Sequence, residues 1–204
     1  MTFYERRILP YLIHVTMRDR HFTPYRQRVT AGATGTVLEL GIGSGLNLGL
    51  YPPAVTAVIG LDPSSPLLAR AARATPMNTH RTQLLTGSAE AIPLNAGSVE
   101  TVVTTWTLCS VPDVAGALRE IRRVLRADGR LLFVEHGRAP DTGVAAWQDR
   151  LTPVWKRLAG GCHLNRPIGQ LLESSGFRLE RLHTGYMTGP RPMTFMYEGL
   201  ARRA

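Results

Sequence analysis

The chain has 204 residues, 44% of them apolar, and a mean hydropathy of -0.06, enough for a sizeable core in a soluble globular class. Its longest mostly apolar stretch, residues 54–61, is far shorter than the roughly 20 residues of a membrane-spanning helix, and its two cysteines are too few for a disulfide framework or a cysteine zinc site. The net charge is +9 with one lysine among 24 basic residues, and the arginines are scattered rather than gathered in a tail, which disfavours nucleic acid as a partner and leaves an anionic substrate or membrane surface.

Residues 1–30 read as a helical preface, with Phe3, Ile8, Leu9, Leu12, Ile13, Val15 and Met17 interleaved with arginines and Pro10 starting or breaking a helix. The order of residues 1–7 is not that of a signal peptide, so a cytoplasmic protein is expected. A first strand covers Thr36–Leu40, and Leu46–Tyr51 is expected as a short helix stopped by Pro52-Pro53. Further strands are expected at residues 54–61, 83–86, 99–105 and 131–135, with a helix at 66–74. Between Pro112 and Leu125, apolar residues fall at i, i+3, i+4, i+7, i+10 and i+11, one face of a helix. Helices at 145–158 and 168–174 and strands at 178–184 and 194–201 complete the chain. Strands alternating with helices predict an open parallel sheet covered on both faces.

Such sheets bind ligands beyond the carboxyl ends of their strands. The loop after the first strand is Glu39-Leu40-Gly41-Ile42-Gly43-Ser44-Gly45, whose glycines let the backbone turn sharply and approach a ligand. A dinucleotide fingerprint would put its third glycine at position 46, where Leu46 stands. The acid Glu39 ahead of the loop suits a cationic amino-acid moiety instead. Asp62 ends the second strand, 17 residues after Gly45, where an acid accepts ribose hydroxyls. The loops at 87–90, 105–109 and 135–137 complete the rim.

The run Val37–Gly45 resembles motif I of the class I S-adenosylmethionine-dependent methyltransferases, and Gly60–Ser64 resembles their ribose-binding strand. Ala89–Leu94, Gly97–Glu100 and Leu118–Leu125 with Asp128-Gly129 are similar to the small-molecule branch typified by ubiquinone-biosynthesis enzymes. Leu108–Val111, Val134–His136, Gly160–Arg166 and Tyr51-Pro52-Pro53 resemble the methyltransferase-like proteins that methylate alkyl thiols; those carry a hydrophobic N-terminal anchor, which is not expected of residues 1–30 here. Phospholipid N-methyltransferases are also similar through the glycine loop and Val111-Pro112-Asp113.

The resemblance implies a Rossmann-like, doubly wound α/β domain over residues 1–204, with a seven-stranded, mostly parallel sheet and an antiparallel last strand. Residues 1–30 would form a lid, 36–136 the cofactor-binding core and 137–204 the acceptor side. S-adenosylmethionine would be held by Glu39, Gly41, Ile42, Gly43, Gly45, Asp62, Pro63, Ser88, Ala89, Thr105 and Trp106. Ser88 stands where the family often has an acid for the adenine amino group.

On the acceptor side His136 and His163 are the candidate bases, each against a bland reading as a positioning or loop residue. Cys109 and Cys162 read as buried inert thiols, with a metal or redox pair as the sharper reading and no metal expected. Asn165 and Arg166 are candidates to grip an anionic acceptor, with a helix cap the bland reading of Asn165. The expected reaction is methyl transfer to a small molecule, a thiol first. The alternatives are a phospholipid or quinone methyltransferase, possible peripheral contact with membrane included, a non-catalytic cofactor- or partner-binding protein and, more distantly, a nicotinamide reductase.

Overall fold

The computed structural model describes residues 3–74 and 80–204, so Met1 and Thr2 of the expected helical preface lie outside the described residues. The chain opens with a π-helical turn, Tyr4–Ile8, then α1 (Leu9–Met17), a 3-10 turn (Arg20–Phe22) and α2 (Thr23–Ala31). Prolines stand in the first turns of α1 and α2, where the missing N–H has no intrahelical partner to lose. Seven strands follow: β1 (Gly35–Leu40), β2 (Val55–Asp62), β3 (Arg81–Thr86), β4 (Val99–Thr105), β5 (Leu125–His136), β6 (Phe177–Tyr186) and β7 (Phe195–Arg203). They form one sheet in the order β3-β2-β1-β4-β5-β7-β6. The first five are parallel, and β7 runs antiparallel between β5 and β6. The helices between and after them are α3 (Ser65–Ala74), α4 (Val114–Val124), α5 (Thr142–Leu158), α6 (Ile168–Ser174) and α7 (Arg191–Thr194).

Both faces of the central strands are dry. Leu38, Leu40, Val102 and Phe133 point to the face covered by α4 and α6, while Val37, Val58, Val103 and Val134 point to the face covered by α2. The apolar stripe of α4 puts Leu118, Ile121 and Val124 fully inside. Each such burial stabilises by about 1.5–3 kcal/mol, so the stripe outweighs the roughly 1 kcal/mol of its N-cap, Asp113, which accepts from the Gly116 N–H at 2.9 Å.

Two expectations change. Residues 46–51 do not form an α-helix; only a 3-10 turn, Leu48–Leu50, precedes Pro52-Pro53. No α-helix N-terminus therefore stands behind the glycine loop, and its dipole contributes nothing there. Strand β5 starts at Leu125 rather than Leu131, and Asp128-Gly129 forms a register irregularity opposite Val99–Thr101 instead of a break between elements.

Candidate active site

The strand order reverses between β1 and β4, because the chain builds β2 and β3 on one side of β1 and then β4 and β5 on the other. The crevice beyond this reversal is lined by the glycine loop and the turn after β4. The two are in contact: the Thr107 hydroxyl donates to the Leu40 carbonyl at 3.0 Å, and a Cβ on Gly41 would collide with Thr107. Gly41 and Gly43 have φ of +67° and +56°. For Gly43 the space where a Cβ would stand is open, its nearest neighbour 3.9 Å away, so the backbone is bare toward the crevice. Gly45 is bare for another reason, since Ala71 of α3 packs against it. Ile42 is buried and packs on Gly60 of β2, anchoring the loop from beneath.

Asp62 sits at the end of β2, 6% exposed. One carboxylate oxygen accepts from the Gly43 N–H at 2.9 Å and the other from the Ser64 N–H at 2.8 Å. Burial raises its pKa and these two N–H donors oppose the rise. The acid thus clamps the glycine loop while keeping lone pairs for a ligand. Glu39 is 1% exposed and faces α2 rather than open space. Its oxygens accept from Asn47 Nδ2 and the Tyr51 hydroxyl, each at 2.8 Å. Burial pushes its pKa up to about 7 against the pull of these donors and of Arg26. Arg26, buried at 7% exposure, donates to Asn47 Oδ1 at 2.9 Å and lies 5.0 Å over the Trp106 ring. Thr105 closes the network, accepting from Asn47 at 3.2 Å. Sequence reasoning missed Arg26, Asn47 and Tyr51, and the one available signal was an acid on an apolar strand that needs partners when buried.

Trp106 holds φ of 53°, unusual for a bulky side chain, and its indole Nε1 is buried without a partner among the described residues. Phe22 meets its edge at 4.8 Å. Beyond it, Glu135 is fully buried and accepts from the backbone N–H groups of Thr107, Leu108 and Cys109. His136, ending β5, is 7% exposed with Nε2 3.3 Å from Cys162 Sγ. Cys162 lies in the loop between α5 and α6, its sulfur 4.0 Å from Cys109 Sγ and 3.3 Å from the donor Trp155 Nε1. The hydrogen bond with Cys109 and the imidazole beside it hold the Cys162 thiol below its ordinary pKa, against the effect of burial. Burial works against charge on His136, but Cys162, the Glu135 carboxylate and the His163 backbone together outweigh it and its pKa is raised. His163 is half-buried, and its backbone N–H donates to the Cys109 carbonyl at 2.8 Å with ring Nδ1 3.3 Å from the same oxygen. Two cysteines that read as separate thiols are therefore brought together with a histidine. The guanidinium of Arg166 donates to the carbonyls of Leu108 and Val111, and Asn165 donates to Asp149 at 2.8 Å. Both brace loops: Arg166 is not offered to an acceptor, and Asn165 does not cap a helix.

The N-terminal helices roof this crevice. His14 Nδ1 lies 2.8 Å from Ser44 Oγ in the glycine loop, Tyr11 stacks under Arg70 of α3 and the Tyr4 hydroxyl donates to Leu158 O at the end of α5. The segment thus runs from α5 across the loop to α3. Two surface clefts, of about 620 and 800 Å³, lie elsewhere, around β6 with α2 and between β7 and α5.

Residues 38–133 match the family model described as "Methyltransferase domain". Human Thiol S-methyltransferase TMT1B is 37% identical over 152 residues, 72% of this chain and 62% of that protein. Human Thiol S-methyltransferase TMT1A is 36% identical over 153 residues, with the same coverage of 72% and 62%. The chain therefore spans less than two thirds of the length of these relatives. Among solved structures, an S-adenosylmethionine-dependent methyltransferase from Methanosarcina mazei superposes with TM-score 0.69 at 19% identity, covering 86% of this chain and 95% of that one, which is a likeness of fold. These likenesses support a class I S-adenosylmethionine-dependent methyltransferase.

S-adenosylmethionine is the cofactor of this family, and the crevice suits it. The bare Gly43 backbone admits close approach, Asp62 has free lone pairs beside it, and the orphaned Trp106 Nε1 is a buried donor waiting for an acceptor. Pro63 and Ser88 are exposed and Ala89 is half-buried along the same rim. Ser88 donates its hydroxyl to Glu90, so an acid does stand at this edge, two residues later than the family position.

Proposed function

We propose that this methyltransferase transfers the methyl group of S-adenosylmethionine to the sulfur of a small thiol. The observation that carries the reading is the state of Glu135, the carboxylate nearest the acceptor side. Three backbone N–H groups occupy it, so this carboxylate takes no proton from an acceptor, and the half-buried His163 imidazole is left for that task, which suits a weakly acidic thiol. A thiol needs little help, since its pKa near 8.5 already leaves a few per cent thiolate at neutral pH. The two human relatives bearing the name thiol S-methyltransferase support the same acceptor.

When bound, the cofactor supplies an electrophilic methyl on a sulfonium whose charge activates it for departure. In this proposal Asp62 accepts the ribose hydroxyls, the glycine loop holds the amino-acid end with the buried Glu39 network bracing it from behind, and Pro63, Ser88 and Ala89 border the adenine. Thr105 and Trp106 form the wall behind the reacting sulfur. The N-terminal helices act as a lid that excludes water, and positioning supplies most of the rate. His136 orients through Cys162. His163, with its Nδ1–H toward the Cys109 carbonyl, presents Nε2 to take the acceptor's proton. We place the activity in a single domain and a reducing, cytoplasmic compartment, which suits two free buried cysteines.

A screen of purified protein with alkyl thiols, phenols, amines and phospholipid vesicles tests this, reading S-adenosylhomocysteine formed. Turnover confined to thiols is expected, and turnover of phospholipid or phenol without thiol would overturn it. A second reading concerns delivery. Phe3, Tyr11, Leu12 and Val15 are exposed on the N-terminal segment, beside Val154 and Leu158 of α5. That apolar face, on a chain of charge +9, fits peripheral contact with an anionic membrane and hence a lipophilic thiol.

A further inference from the structure

The sequence holds two cysteines, 53 residues apart, and the fold sets them face to face with a histidine. Cys109 Sγ, Cys162 Sγ and His136 Nε2 all lie within 4.8 Å of one another, and all three residues are buried. The pairs for which contacts are resolved are 4.0 Å for sulfur to sulfur and 3.3 Å for Cys162 sulfur to imidazole. A tetrahedral zinc with bonds of about 2.3 Å to sulfur and 2.0–2.1 Å to nitrogen separates its donors by roughly 3.5–3.8 Å. The two pairs that include Cys162 are within tenths of an ångström of that spacing, and the third, Cys109 with His136, is no farther apart than 4.8 Å.

The surroundings hold these donors in place. Three N–H groups to Glu135 shape the turn carrying Cys109, and the His163 backbone N–H ties that turn to the Cys162 loop. Gly161, with φ of +86°, lets the Cys162 loop pass so near that a Cβ would stand 3.0 Å from the Ser110 carbonyl. Trp155 Nε1–H donates to Cys162 Sγ, the kind of outer hydrogen bond that orients a metal-bound sulfur. Two thiolates and one neutral imidazole also balance a divalent charge. Thiolate with imidazole is a zinc-type donor set, and among the described residues it stops at three, the pattern of sites that keep a fourth position for substrate.

We propose that Cys109, His136 and Cys162 bind a zinc-class divalent ion whose fourth ligand is the thiol acceptor. The metal site stands on the donor geometry; the role of its fourth position rests on the thiol reading above. The acceptor R–SH binds as R–S⁻, its proton leaving through His163 to solvent, because a coordinating thiol is deprotonated outright. Its sulfur forms a bond to the methyl carbon as the methyl–sulfonium bond breaks, and that electron pair stays on the departing sulfur. The products are neutral S-adenosylhomocysteine and the thioether R–S–CH3, a weaker ligand that leaves the ion. The site lies two residues from Thr107, which seats on Gly41 of the cofactor loop, and Leu9 of α1 roofs the neighbouring Gly160.

Cobalt(II) is the probe. Reduced, chelator-treated full-length protein is titrated with cobalt(II) alone, then with 2-mercaptoethanol, while calorimetry with S-adenosylhomocysteine checks that each sample is folded. One equivalent should produce thiolate-to-cobalt charge-transfer bands and tetrahedral visible bands, and the added thiol should intensify the former. Cys162→Ser and His136→Gln should weaken binding by roughly a hundredfold or more, and Trp155→Phe, an outer partner, by about tenfold. Folded protein that gives no such bands, or that is isolated with a Cys109–Cys162 disulfide and takes up no cobalt after reduction, overturns the metal site. Full-rate thiol methylation by metal-free protein overturns the ligand role and leaves the methyl-transfer reading intact. Metal bound with 2-mercaptoethanol as fourth ligand but no thiol methylated supports the site and sinks that functional reading instead.

Discussion

Asp62 does two jobs with one carboxylate, and they separate by substitution. Asp62→Ala removes a charged acceptor from the ribose and releases Gly43, so S-adenosylmethionine affinity should fall roughly ten- to a hundredfold, from the 1.5–3 kcal/mol of a hydrogen bond to a charged group. Calorimetry on Asp62→Ala and Asp62→Asn checks this, and unchanged affinity in both would remove Asp62 from the site. Glu39 makes a prediction about pH. Its ordinary pKa is 4.5 and burial lifts it to about 7. Between those values the folded protein keeps a proton that the unfolded chain has lost, so this group's contribution to stability is complete below 4.5 and falls as pH rises to about 7. The full span is worth about 3 kcal/mol. Asp62 and Glu135 titrate in the same direction, so the test is a difference. Urea unfolding at pH 5 and pH 8 should show a smaller loss for Glu39→Gln than for the unsubstituted protein, and identical losses would assign the pH dependence to other groups.

Elements carry the next two outcomes. The glycine loop works because Gly41 adopts φ of +67° against Thr107. Gly41→Ala adds a left-handed strain of 1–2 kcal/mol and a collision, so a loss of about 2–4 kcal/mol is expected in thermal or urea unfolding. Gly43→Ala carries the strain without the collision and should cost less in the free protein while still blocking the cofactor. If Gly43→Ala binds S-adenosylhomocysteine normally, the bare backbone there is not a cradle. The lid rests on few contacts, chiefly His14 with Ser44 and Tyr11 with Arg70. Both are partly solvated, so Tyr11→Ala with His14→Ala should leave stability within about 1 kcal/mol. Stopped-flow measurements should show cofactor release accelerated several-fold. An unaltered release rate would make α1 mere packing.

At the scale of the whole molecule, the exposed apolar residues of the N-terminal segment and α5 share one side, and no helix among the described residues is long and apolar enough to cross a membrane. Sedimentation with vesicles should therefore show binding to anionic vesicles that weakens with salt, and Leu12→Glu with Val15→Glu should abolish it; equal binding to neutral vesicles would argue against a basic apolar contact. How far this molecule was legible follows from the range of the interactions involved. Strand and helix positions, the glycine loop and Asp62 were readable because each depends on residues near in sequence: burial period, backbone freedom, an acid at a strand's end. The expected helix at 46–51 failed because Tyr51 is drawn inward to Glu39 and Pro52-Pro53 follows at once, leaving room only for a 3-10 turn. By itself the sequence determined the parallel α/β order, the crevice at the strand reversal and the cofactor's family. Only the tertiary structure decided that Glu39 belongs to a buried network with Arg26, Asn47 and Tyr51, and that Cys109, His136 and Cys162 share one site. Those groups come from separate elements, and a chemistry made of residues dozens apart exists only once the sheet has brought its loops to one edge.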